Sequence, residues 1–168
     1  MLNCEIHGAL DLRLAERPAE PLAPTQVRVA VKAVGICGSD LHYYRHGRVG
    51  DFVIRAPLTP GHEASGQVIE VGAQVSSVKP GDRVALNPSR TCGVCRFCRA
   101  GASNHCENVH FFGSASRWPH MQGAMREQVV VEATQCLPVP DTLSFELAAF
   151  GEPLAGALHA VQEAGSLP

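Results

Sequence analysis

No run of the 168-residue chain approaches the ~18–20 consecutive apolar residues that a membrane-spanning helix needs. Met1 to Glu20 mix Glu, Asp, Arg and Pro with single hydrophobes, so the apolar stretch of a secretory leader is lacking and a cytoplasmic setting is expected. A charge excess of one sign is lacking as well. Fourteen Lys+Arg stand against sixteen Asp+Glu, a formal net charge of −2, which argues against nucleic acid as a partner. There are no internal repeats and no low-complexity tract. With 45% apolar and 18% charged residues the chain can fill a core, which excludes wholesale disorder. Its length suits one domain, or one plus part of another.

What the chain has in quantity is punctuation. Sixteen Gly and twelve Pro favour short strands and loops over long helices. Val27 to Val34 alternates Val with Arg, Ala and Lys, a period-2 strand signal. Ala64 to Val71 predicts a second strand ending at a Gly72 turn, and Val78 to Asp82 a turn that leads into a strand through Leu86. Gln128 to Val131 and Cys136 to Val139 are further strand candidates. Late in the chain the pattern changes. Ser144 to Phe150 predicts a helical turn, and Pro153 to Ala164 a helix with Pro153 at its first position, an apolar stripe of Leu154, Leu158 and Val161, and Gly165 as its stop. The exposed stripe is expected to be adhesive.

Seven cysteines are an odd number, and Cys92, Cys95, Cys98 and Cys106 crowd into one loop. A secreted disulfide framework is usually small, evenly spread and even in number, whereas clustered cysteines in a reducing compartment more often bind metal. The C-x2-C-x2-C-x7-C spacing supplies four thiolates to one tetrahedral zinc at about 2.3 Å per bond. Such a closed site organises a loop and leaves no position for water. Arg90, Arg96 and Arg99 lie near enough in sequence to offset its charge. The alternatives are four unrelated thiols and an Fe–S cluster. Cys4 and Cys136 read as small buried hydrophobes.

A second donor set is scattered. Cys37 lies in GICGSDLH, His62 and Glu63 in PGHEASGQV, and Glu152 in GEPLAGALHA. Thiolate, imidazole and carboxylate are all zinc ligands, and three protein ligands with one open position define a catalytic zinc. Taken singly, Cys37 is a core thiol, His62 a hydrogen-bonded imidazole, Ser39 a helix cap and His42 a surface residue. Taken in order, with VKPGDRVA and the Cys92–Cys106 loop between them, these motifs resemble the zinc-dependent medium-chain alcohol/polyol dehydrogenases over nearly the whole chain. The EPL motif at Glu152 is that of the sorbitol-dehydrogenase-like branch. The stretches from Cys37 to Glu63, NPSRTCGVCRFC and FFGSASRWPHMQG are similar to its L-idonate 5-dehydrogenase group.

The resemblance implies a fold and a chemistry. The fold is mainly β (α+β), a GroES-like, partly open β-barrel with short helices. Residues 1–150 form the catalytic domain with a structural-zinc loop at 90–108, and residues 151–168 form the first crossover helix. Cys37, His62 and either Glu63 or Glu152 hold the catalytic zinc, while Cys92, Cys95, Cys98 and Cys106 hold the structural one. Ser39 takes the substrate proton and His42 passes it to solvent. Tyr43, Phe111 and Phe112 line the substrate pocket, with core packing as their alternative. The substrate is a small polyol or sugar acid. For a carboxylate Arg48, Arg55 and Arg117 are available, while His46, His110 and His120 carry no assigned role. NAD or NADP is the second cofactor, and a dimer or tetramer is expected of the full-length enzyme. No GxGxxG occurs in the chain. In the family that motif begins shortly beyond the point reached at Ala164–Pro168, so the Rossmann domain is absent from these residues, and they are expected not to turn over substrate alone.

The competing class is a non-enzymatic, zinc-stabilised β-barrel that serves as a binding or scaffold module. It needs only the cysteine loop. Metal analysis of the purified chain separates the two: about two zinc ions per chain is expected of the dehydrogenase domain, and about one of the scaffold.

Overall fold

The structure is a computed structural model and describes residues 1–165. In chain order its elements are β1 (Leu2–Gly8), β2 (Asp11–Glu16), β3 (Gln26–Val34), α1 (Gly38–His46), β4 (Arg48–Val49), β5 (Phe52–Val53), β6 (Ala64–Val71), β7 (Arg83–Leu86), β8 (Ser89–Arg90), α2 (Arg96–Arg99), β9 (His110–Phe111), β10 (Gln128–Glu132), β11 (Cys136–Pro138), α3 (Phe145–Ala149) and α4 (Gly151–Ala164). Five of the strands form one antiparallel sheet in the order β10-β3-β6-β7-β11. Val27 and Val29 of β3, Val68 of β6, Val84 and Leu86 of β7, and Val129 and Val131 of β10 alternate inward and form the main core. Register shifts between Arg28 and Val29 and between Val31 and Ala33 interrupt the β3–β6 ladder; such bulges bend and twist a sheet, and here the sheet curls into an incomplete barrel.

A second apolar cluster of Ile6, Tyr43, Leu58 and Ala115 lies beneath α1. It joins the N-terminal hairpin to the loop that leads into β6, because Ile6 and Leu58 exchange both backbone hydrogen bonds, at 2.8 and 3.0 Å. The two clusters flank the loops that carry the candidate ligands. Among the described residues no helix is long and apolar enough to cross a membrane.

The strands expected at 27–34, 64–71, 84–86, 128–131 and 136–139 all form within a residue or two of those bounds. The hairpin β1–β2 and helix α1 are additions. β1 escapes a reading based on hydrophobic alternation because part of its buried face is polar: Glu5 is buried and bound by both donor nitrogens of Arg17 at 2.7 Å. That pair holds the Glu5 carboxyl below the usual carboxylate range, the hydrogen bond from Arg17 outweighing burial. Cys136 is buried, as expected, whereas Cys4 is only half-buried. α4 begins at Gly151, which puts Pro153 at the third helical position and not the first, still within the turn where its missing N–H costs nothing. Gly165 ends the helix at φ 67°, and its N–H bonds to Gln162 O. The stripe of Leu154, Leu158 and Val161 is exposed. Ser166–Pro168, the end of the expected crossover segment, lie outside the described residues.

Leu58 is fully buried and closes the cluster beneath α1. Leu58→Ala is expected to destabilise the chain by about 3 kcal/mol in urea unfolding, through lost burial and the cavity left behind.

Candidate metal centre

The loops that carry Cys37 and His62 adjoin strands of the main sheet, one leaving β3 and the other entering β6. The first follows β3. Cys37 caps α1 with extended backbone (φ −79°, ψ 157°), and Asp40, at the third helical position, accepts the Cys37 N–H on Oδ2 at 3.0 Å. Oδ1 of Asp40 accepts the N–H of Gly61 at 3.1 Å, in the loop that precedes β6. One buried carboxylate therefore ties the Cys37 segment to the segment that delivers His62.

The second loop is held along its whole length. Thr59 N–H donates to Gln122 Oε1, Gly123 N–H to Thr59 O, Met125 N–H to Pro60 O and Ala124 N–H to Gly61 O, at 2.6 to 3.0 Å. Gly61 has φ +93°, and a Cβ there would stand 2.8 Å from side-chain carbons of Val34 and Met125, so the position is fixed by backbone angle and by space. His62 follows, buried, its ring 5.3 Å from that of Phe111.

The result is a convergence. Cys37 Sγ, a ring nitrogen of His62 and a carboxylate oxygen of Glu63 all lie within 4.8 Å of one another. Gly35 makes the space for the carboxylate: a Cβ at that position would sit 2.1 Å from Glu63 Oε2. Glu152, at the start of α4, is outside this group of three but within electrostatic reach. Burial raises its carboxyl above the usual carboxylate range, Glu63 adds to the rise and His62 opposes it. A soft thiolate, an imidazole and a carboxylate fit zinc, and three donors are the number that leaves a coordination position open.

Beside the three donors is a cavity of about 180 Å³ lined by Ser39, Tyr43, Val49, Phe52, His62, Phe111, Phe112, Gly113 and Ser114. Ser39, Tyr43, Phe111 and Phe112 were expected here. Val49, Phe52 and Ser114 were not. Tyr43 is also a structural residue, since its hydroxyl accepts the N–H of Ala115 at 3.0 Å. Ser39 is not the cap of α1, a place taken by Cys37. His42, one helical turn beyond Ser39, is exposed to solvent with its ring 5.6 Å from that of His46. None of Arg48, Arg55 and Arg117 lines the cavity. Arg48 binds Gly50 O, Arg117 binds Val109 O and Glu107 O, and the backbone N–H of Arg55 donates to His120 Nε2 at 2.8 Å. His120 Nδ1 faces Arg117 O at 3.1 Å, so this buried imidazole pins two loops together.

The four loop cysteines form a second group, their sulfurs also within 4.8 Å of one another. Their shape is made by the backbone. The N–H of Cys95 points to Cys92 Sγ, that of Cys98 to Cys95 Sγ, and those of Cys92 and Asn108 to Cys106 Sγ, at 3.3 to 3.5 Å. The N–H groups of Cys98 and Glu107 pull the Cys95 thiol down to about 6, while burial and then the neighbouring thiols push Cys98 up to about 11. Four crowded thiols do not all ionise without a cation, and this set fits a tetrahedral zinc. Of the nearby arginines, Arg96 pairs with Glu107 at 3.0 Å and Arg90 with Glu132 at 3.6 Å.

Residues 23–141 match the Alcohol dehydrogenase GroES-like domain. The chain belongs to this family. The curled sheet is the family's GroES-like, partly open barrel, and its members include zinc-type, NAD(P)-dependent alcohol and polyol dehydrogenases. L-idonate 5-dehydrogenase (NAD(P)(+)) from Escherichia coli (strain K12) is 45% identical over 139 residues, which cover 83% of this chain and 40% of that enzyme. Sorbitol dehydrogenase from Gallus gallus is 42% identical over 160 residues, 95% of this chain and 44% of the relative. The crystal structure of L-idonate 5-dehydrogenase from E. coli K-12 superposes with a TM-score of 0.89 at 40% identity, covering 98% of this chain and 46% of that one. The chain thus spans less than half the length of these GroES-like relatives.

Asp40 is the functional residue that sequence reasoning missed, although an acid three positions beyond a helix cap is a legible signal. Asp40→Asn leaves one acceptor oxygen for two N–H donors and turns an amide NH2 toward one of them. Divalent-metal affinity at Cys37, His62 and Glu63 is expected to fall about 10–100-fold in competition with a chelator, and affinity at the cysteine loop to stay unchanged.

Proposed function

We propose that this chain is the catalytic domain of a zinc-dependent dehydrogenase that oxidises a secondary alcohol of a polyol or sugar acid with NAD or NADP, L-idonate 5-dehydrogenase-like in its substrate class. In this reading residues 1–150 carry the chemistry, and residues 151–168 lead toward a nucleotide-binding domain outside them. The observation that carries it is the convergence of Cys37, His62 and Glu63 at the edge of a cavity that also holds Ser39. Cys37, His62 and Glu63 would hold the catalytic zinc, with Glu152 as the second carboxylate able to exchange with Glu63. The cysteine loop would hold the structural zinc.

Zinc bound at the first site supplies the Lewis acidity that moves an alcohol's pKa from about 16 toward 7. The chain's own residues do the rest. Ser39 lies in the cavity beside His62, where a hydroxyl can take the proton of a substrate alcohol. His42 stands one turn further along α1 at the surface, where its imidazole can pass that proton to water. Phe111, Phe112, Tyr43, Val49 and Phe52 form apolar walls that position the carbon skeleton and exclude water. Among the described residues no lysine or arginine lines the cavity, and the polar groups that face it are the hydroxyls of Ser39, Tyr43 and Ser114 and the imidazole of His62, donors suited to the hydroxyls of a polyol. Seven free cysteines suit a reducing, cytoplasmic setting, and the full-length enzyme is read as a dimer or tetramer.

The test has two arms. Cys37→Ser in this chain is expected to lower zinc content from about two ions to one while the loop zinc stays; retention of both would remove the catalytic site from this reading. In the full-length enzyme, Ser39→Ala is expected to lower kcat for NAD(P)-linked polyol oxidation about 10²–10⁴-fold at unchanged zinc content. Wild-type activity in that variant would contradict the proton route.

A further inference from the structure

A second cavity, of about 110 Å³, adjoins the one beside the metal donors. Phe52 is a wall of both, and one stretch of chain passes from the first to the second: Gly113 and Ser114 line the larger cavity, Ala115 to Trp118 its neighbour. Two hydroxyls meet across that boundary, Ser114 Oγ donating to Ser116 Oγ at 2.9 Å. The two cavities differ in charge. Among the described residues no lysine or arginine lines the first, whereas Arg55 and Arg117 line the second. Arg117 is tied down, giving Nε to Val109 O at 2.7 Å and Nη2 to Glu107 O at 3.0 Å. Arg55 is held by its backbone, whose N–H donates to the buried His120, and among the described residues its guanidinium pairs with no carboxylate or carbonyl. Asp51 is the one acid in the lining; it is fully exposed and lies 3.7 Å from a different cation, Arg48. Trp118, 61% exposed and edge-on to His120 at 5.1 Å, supplies a flat apolar wall.

We infer that the second cavity takes the carboxylate end of an open-chain sugar acid whose reacting hydroxyl lies in the first, and that Arg55 is the residue that selects the acid over the neutral polyol. The inference rests on the dehydrogenase function proposed above and adds its substrate class. A guanidinium presents a planar fork of N–H donors that matches the two oxygens of a carboxylate, and the fork of Arg55 is unspent. Arg117 contributes a second positive charge from a fixed position, so the lining carries two cations against one solvated acid. The donors of the first cavity serve chain hydroxyls, which an aldonate and an alditol share. Only the second cavity meets the end of the chain where the two differ. A site built to pair with a group discriminates strongly against the analogue that lacks it, because its own polar groups are then left unmatched.

The experiment compares L-idonate with L-iditol, which carries CH2OH in place of the carboxylate. In the full-length, zinc-replete enzyme, Arg55→Ala is expected to lower the ratio of kcat/KM for L-idonate to that for L-iditol about 10–100-fold, with the loss in KM and not in kcat. Arg55→Lys keeps the charge without the fork and is expected to fall between Arg55→Ala and the unmodified enzyme. Arg55 is exposed and its bond to His120 comes from the backbone, so these variants retain that anchor, and circular dichroism checks their folding. A second readout needs no turnover. Trp118 is the chain's one tryptophan, so the fluorescence of the zinc-loaded 168-residue chain reports on this cavity. L-idonate is expected to change its emission at about tenfold lower concentration than L-iditol does, and Arg55→Ala to remove that difference. An unmodified enzyme that prefers L-iditol, an Arg55→Ala variant that slows both substrates alike, or Trp118 emission that L-idonate leaves unmoved would each overturn the inference while the zinc site stands. Oxidation of neither substrate by the zinc-replete enzyme would remove the proposed function, and the inference with it.

Discussion

Asp40 spends both carboxylate oxygens on backbone N–H groups, one from Cys37 and one from Gly61. Those two groups belong to loops far apart in sequence, and each loop carries one of the protein's candidate zinc ligands one residue away or less. A buried carboxylate with two charge-assisted bonds is costly to desolvate and costly to unpair, so the arrangement is rigid or absent. Rigidity is what an open metal site requires, because three ligands have fewer bonds than four with which to correct a misplaced loop. The closed cysteine loop solves the same problem differently: its donors lie within one loop, and its own N–H groups aim at its sulfurs.

The sheet provides the frame on which Asp40 acts. β3 delivers Cys37, β6 begins just after Glu63, and both belong to the valine core that the bulged β3–β6 ladder wraps into a partial barrel. The cavity beside the donors is built from the next layer, with Tyr43 and Ser39 from α1, Phe52 from β5, and Phe111 to Ser114 from the segment after the cysteine loop. Tyr43 belongs to both systems, lining the cavity while its hydroxyl holds Ala115 and its ring packs in the cluster with Leu58 and Ile6. Cavity lining and domain stability are thus joined through one side chain.

Much of this is legible in the amino-acid order. The barrel strands are simple alternations of valine with polar residues, and the C-x2-C-x2-C-x7-C spacing is local, so both can be read without knowing what lies next to what. The ligand set at Cys37, His62 and Glu63 is not local, and it was reached through motif resemblance. The choice between Glu63 and Glu152 was left open by the sequence; in the structure Glu63 joins the group and Glu152 stands outside it, because a glycine at position 35 leaves room for the Glu63 carboxylate. The hairpin β1–β2 was invisible because its inner face carries the buried Glu5, held by Arg17, and burial alternation is read from apolar residues. Asp40 was in view within GSDLH, but its second partner, Gly61, is a matter of folding and not of spacing.

The most direct test of the account is anomalous diffraction at the zinc absorption edge from crystals of the metal-loaded chain. Two peaks are predicted. One should lie at the centre of the four loop sulfurs. The other should lie within about 2.0–2.4 Å of Cys37 Sγ, a His62 nitrogen and a carboxylate oxygen, with Asp40 still bridging the two loops. A single peak at the cysteine loop, with Cys37 and His62 turned apart in crystals that contain saturating zinc, would contradict it.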